Sequence, residues 1–236
     1  MPTFPDNPGR FVHYRTLSAF WLLTAAGQWG RMPGSTLACP GEANMKRDVA
    51  SGTLLIAGAL AGVLIMLLHP TGTEVQAATP GHGMALVNVL VHGSALVATP
   101  VIFLGLLGLA RALGFSGLTT AALVAWGYGA VAVMSAAVAS GFVTPAAMDM
   151  PEALAHYSYM WNQAYARVNV VATGLSMLLW SWAMLKSRAV GLGPIIWGSV
   201  VGLAVVAGVL SGHLRLNLHG FGMVVIGQSV WLVWLG

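Results

Sequence analysis

The chain has 236 residues, 57% of them hydrophobic and only 7% charged, with ten Lys and Arg against six Asp and Glu. A soluble domain carries about 25% charge, so this composition and a mean hydropathy of +0.79 exclude a soluble fold of this size. The net charge of +4 sits on basic residues scattered singly or in pairs, which excludes a nucleic-acid-binding stripe, and one cysteine, Cys39, excludes an intramolecular disulfide scaffold.

Residues 1–44 read unlike the rest: they are rich in Pro and Gly, with Arg10, Arg15 and Arg31 interspersed. Their apolar run, Leu17 to Ala26, has the size of a signal-peptide core, and Leu37-Ala38-Cys39 has part of a lipoprotein cleavage pattern. Thr36 stands where that pattern wants an aliphatic residue, and Arg31 and Pro33 separate the run from the cysteine. Met45-Lys46-Arg47-Asp48 followed by an apolar run reads as a natural start. Residues 1–44 are therefore expected to be disordered or an over-extended reading of the gene, and 45–236 to be the folded domain.

Chargeless stretches run from Val49 to Leu68, Pro80 to Ala110, Ala112 to Met148 and Ala189 to Leu214, each at least as long as the roughly 20 residues that cross a bilayer. They predict an all-α integral membrane protein, a bundle of six transmembrane helices at about 49–68, 84–110, 117–143, 157–185, 191–212 and 218–235. Pro100 inside the second span is expected to kink it and open a cavity alongside. Gly58 and Gly62, Gly198 and Gly202, and Gly208 and Gly212 have the small-xxx-small spacing of close helix packing. Trp180, Trp182, Trp197, Trp231 and Trp234 are expected to form an aromatic belt.

Lys46, Arg47, Arg111, Lys186 and Arg188 fall on one side of this topology, and Glu74, Asp149 and Glu152 fall on the other with Arg215. By the positive-inside rule both termini are cytoplasmic. The expected setting is a bacterial inner (plasma) membrane, crossed several times, with the lipid bilayer as partner and room for a membrane or periplasmic protein partner.

That topology brings His69, His82, His92, His156, His213 and His219 to the outer face, from the ends of five spans. On the fourth span His156, Gln163 and Arg167 lie within about 40° of one another, and Asn162 and Asn169 make a second polar ridge. Arg167, about 15 Å along the axis from the opening of its span, is expected to face the bundle or an aqueous cavity, with Asp149 and Glu152 as candidate partners. The segment His213-Leu214-Arg215-Leu216-Asn217-Leu218-His219 alternates polar and apolar residues.

Imidazole is a common metal ligand, and paired histidines hold haem. The expectation is an outward-facing pocket with His92, His156, Gln163, Arg167 and His219 toward a cofactor and His92, His156, His213 and His219 toward a metal, with haem b or copper as candidates. Electron transfer or metal handling would be its task. Two alternatives stand beside it: a non-catalytic membrane subunit whose polar cluster is structural, and a small-anion transporter anchored by Arg167. The chain carries no Walker lysine loop, CxxCH, HExxH or GxSxG, and no carboxylate in mid-span, so no catalytic residue is nominated.

Overall fold

The computed structural model describes residues 40–69, 82–143 and 152–236, and the side chains of these except at 40–48, 82–85, 152 and 155. They form six helices and no strand: α1 (Pro40–Leu67), α2 (His82–Ala112), α3 (Gly117–Val138) continued by a π-helical turn (Ala139–Val143), α4 (Glu152–Ser187), α5 (Leu192–Leu210) and α6 (Leu218–Leu235). Each contains a segment long and apolar enough to cross a bilayer. The expected 117–143 and 218–235 are met to the residue once the π turn is included, whereas α4 begins five residues early. α1 begins at Pro40, so residues 40–44 are helical rather than part of an unstructured extension. Residues 1–39 lie outside the described part.

The helices close into a ring in chain order, each against the next and α6 back against α1. At one end lie Arg111, Lys186 and Arg188, near the approach of Gly52 to Gly236. This basic end holds most of the packed core, including Leu55, Leu106, Trp126, Met177, Trp180, Met184 and Trp231. At the other, histidine end, a smaller cluster of Val170, Val205, Leu216 and Val224 packs under the α5–α6 turn. Large apolar side chains such as Leu60, Val97, Leu104, Val124, Ile196, Val200 and Leu203 face outward, a surface suited to hydrocarbon and costly in water.

Local chemistry sets the element ends. Ser116 caps α3 reciprocally with Thr119: Thr119 N–H donates to Ser116 Oγ at 3.2 Å and Ser116 N–H to Thr119 Oγ1 at 2.8 Å. α6 starts at Asn217, whose Oδ1 accepts from Gly220 N–H at 2.9 Å. Just beyond the end of α5, Gly212 takes φ +74°, a conformation open to glycine. Gly212 is thus a turn residue, and the pairing of Gly208 with Gly212 as a packing face is corrected.

Gly198 and Gly202 pack closely within the chain, as does Gly58 against Ile102, whereas Gly62 makes only ordinary contacts. A Cβ on Gly202 would lie 2.8 Å from Gly174 O, and one on Gly198 would lie 2.6 Å from Ser181 Oγ, so α4 and α5 touch through these positions. The aromatic belt is half right. Trp182, Trp197 and Trp234 are exposed, but Trp180 and Trp231 are fully buried, with Trp231 Nε1 donating to Pro194 O at 3.1 Å. Two residues on one helix separated by one position point about 160° apart, so Trp180 and Trp182 cannot share a face.

Candidate functional site

His92 and His69 meet where α1 and α2 reach the histidine end. The register that places Gly58 against Ile102 and Gly105 against Leu55 brings the end of α1 to the second turn pair of α2. The two imidazoles stand with centroids 5.0 Å apart and planes at 69°. His92 is 7% exposed. Its Nδ1 lies 2.8 Å from Asn88 O; a carbonyl can only accept, so Nδ1 carries the proton and Nε2 keeps its lone pair.

The π turn holds this arrangement from the side. Asn88 Nδ2 donates to Ser140 O at 3.0 Å, tying α2 to the turn. Gly141 packs directly on the histidine: a Cβ there would lie 2.5 Å from His92 Cβ and 3.1 Å from Cγ. Only a glycine lets the backbone approach the ring so closely. A π turn widens the helix locally and is often found at functional positions.

Beneath the pair, starting one turn inward at Met66 and Ala95, lies a central cavity of about 120 Å³ lined by α1, α2, α3, α4 and α6. Ala95, Ala98 and Thr99 wall it, as expected of the region beside Pro100. Its polar lining is Thr99, Asn169, Thr173, Gln228 and Ser229. Asn169 Nδ2 donates to Gly129 O at 2.9 Å, and Gln228 Nε2 to Thr173 Oγ1 at 2.7 Å. A second, larger and open apolar groove of about 1020 Å³ runs along α3 and α4, with Phe142, Tyr157, Trp161 and Tyr165 on its walls.

The remaining expected site residues lie elsewhere. His156, His213, His219 and Arg167 are exposed, and Gln163 is half-buried. His213 Nδ1 lies 2.9 Å from Ser211 Oγ, a bond within its own turn. Among the described residues no three His, Cys, Asp or Glu side chains gather at metal-holding distance, so His92, His156, His213 and His219 do not form one ligand set there. His82 belongs to α2, but its side chain lies outside the described ones, as do Asp149 and the side chain of Glu152 as partners for Arg167.

The polar stripe itself is real and differs in direction from the expectation. His156, Gln163 and Arg167 share a helix face with Gly174, where α4 meets α5, so the stripe continues that seam outward past the end of α5 at Leu210. Arg167 stands on the exposed surface, not in an interior cavity. A helical Cβ leans toward the N-terminus, which for α4 is the histidine end, so the long side chain reaches toward that end along the surface. Burial of the cation is thereby avoided.

Sequence reasoning did not pair His69 with His92. Their closeness depends on the α1–α2 register, which spacing along the chain does not encode; a hairpin reading alone leaves His82 and His92 as equal partners for His69. No protein-family model, curated protein or solved structure matches the chain.

Proposed function

We propose that this is a multi-pass protein of a bacterial inner membrane, with both termini cytoplasmic, that binds one transition-metal ion at its outer end through His69 and His92 and serves metal handling. The charge asymmetry supports the orientation: Arg111, Lys186 and Arg188 lie at one end, while the described loop at the other end carries Arg215. The outward-facing apolar side chains then meet lipid, and Arg167 extends to the headgroup level.

The observation that carries the metal reading is the 5.0 Å separation of the imidazoles together with the Asn88 carbonyl on His92 Nδ1. Two imidazoles bound at about 2.0 Å to a tetrahedral ion place their ring centroids roughly 5 Å apart; on opposite faces of a haem they stand roughly 6 Å apart. The spacing thus favours a small ion such as copper or zinc over haem b. A ring nitrogen held by a backbone carbonyl is the usual outer-shell support of a metal-binding histidine, fixing the tautomer that offers Nε2. Two protein ligands leave positions open for solvent or for a carrier's ligands, which suits an ion taken up and released.

The structural alternative draws on the same hydrogen bonds, because Asn88, His92 and Gly141 also fasten α2 to the π turn. Metal analysis separates the two. Detergent-purified protein, equilibrated with zinc or cuprous ion and desalted, should retain one ion per chain. His69→Ala and His92→Ala should each lose it, and His156→Ala and His219→Ala should keep it. A metal-free wild type, or retention by the His69→Ala, His92→Ala double variant, would overturn the reading. A Soret band in the purified protein would replace the small ion by haem.

A further inference from the structure

We propose that the central cavity is a binding site for a small N–H donor cation of the ammonium or primary methylammonium class. The inference is independent of the metal reading, since it uses none of the histidines. The hydroxyl protons lining the cavity are committed to backbone carbonyls: Thr99 Oγ1 donates to Ala95 O at 2.8 Å, Thr173 Oγ1 to Asn169 O at 2.8 Å, and Ser229 Oγ to Ala59 O at 3.2 Å. Asn169 and Gln228 donate from their amide nitrogens to Gly129 O and Thr173 Oγ1. What Thr99, Ser229, Asn169 and Gln228 retain toward a guest is mainly oxygen lone pairs. The wall is mainly apolar, and its polar part, which keeps more acceptors than donors, is satisfied by a guest that donates.

Size and charge narrow the guest further. About 120 Å³ accommodates an ammonium ion with two or three waters, water taking roughly 30 Å³ each. Trp126, an aromatic residue of the kind that attracts cations, forms part of the wall. Among the described residues no Lys, Arg or His lines the cavity to repel one. The neutral oxygens, with no carboxylate among the described lining residues, suit a weakly held monovalent ion better than a divalent one, whose dehydration they would not offset. The cavity lies under the His69–His92 pair and is lined by five of the six helices.

The test is thermal unfolding of the metal-stripped full-length protein in detergent at neutral pH, titrated with ammonium, methylammonium, potassium or tetramethylammonium chloride at equal ionic strength. The first two should raise the Tm to a saturating value, by mass action on the folded state, and the last two should not. Thr99→Val and Gln228→Leu, checked by circular dichroism for native helicity, should raise the half-saturating ammonium concentration by about tenfold or more, because each removes an acceptor. His92→Ala should leave it unchanged. An equal rise with potassium or tetramethylammonium would overturn the proposal, as would a flat response to every salt, which would mean a cavity holding water only. An ammonium response unchanged in both cavity variants would overturn it too, by placing the site elsewhere.

Discussion

Replacing each glycine of the Gly58/Gly62 pair by alanine tests whether the helices pack as described, because one sequence motif should give two opposite answers. A Cβ on Gly58 would collide with Ile102 Cγ1, close to the backbone of α2, and would lie 3.4 Å from Ile102 N, so the side chain cannot simply swing aside. A Cβ on Gly62 would meet nothing nearer than Val225 Cγ1 at 3.8 Å and Ser229 Oγ at 3.9 Å, ordinary contact distances at the edge of the central cavity. Overpacking costs about 1–3 kcal/mol, while alanine gains about 1 kcal/mol over glycine within a helix. Gly58→Ala should therefore destabilise by up to about 2 kcal/mol, and Gly62→Ala should stabilise by about 0.5–1 kcal/mol. Unfolding of both variants in one detergent, followed by circular dichroism, gives the signs directly. Equal losses at both positions would refute the register of α1 against α2 and α6, and with it the pairing of His69 with His92.

Ser181 Oγ is buried and has no hydrogen-bond partner among the described residues, so Ser181→Ala should raise stability by about 1 kcal/mol, read as a higher Tm. Ser116→Ala removes the side-chain cap on Thr119 N–H while the bond from the residue-116 backbone N–H to Thr119 Oγ1 stays, and should lower stability by about 1 kcal/mol in the same assay. Asn88→Ala severs the bond to Ser140 O and should cost about 1 kcal/mol, with faster hydrogen exchange concentrated in the π turn. Arg167→Ala should change stability by less than about 0.5 kcal/mol, as befits an exposed cation; a loss of several kcal/mol would instead reveal a buried ion pair.

The arrangement of the six helices was legible along the chain, because apolar runs of bilayer length and charged connections are local properties. Their ends were less so at α1 and α4. There charged or polar residues near the helix start, from Pro40 and from Glu152, mask turns that extend beyond the apolar run. The fourth span's polar stripe was also legible, since His156, Gln163 and Arg167 share a face by helical period alone.

Tertiary structure decided what those faces meet. Periodicity defines a face of a helix and leaves its neighbour open, so it could not say that Arg167 would lie on the surface while Asn169, two positions away, would bond Gly129 O inside. Likewise Gly62 and Gly58 are one motif in the sequence and two environments in the fold. The composition determined that this chain forms helices long and apolar enough to cross a bilayer, with apolar side chains left facing outward. Which histidines face each other, and that a polar cavity lies beneath them, followed only from the register between helices far apart in the chain, because contact at such separation is set by side-chain packing and not by spacing.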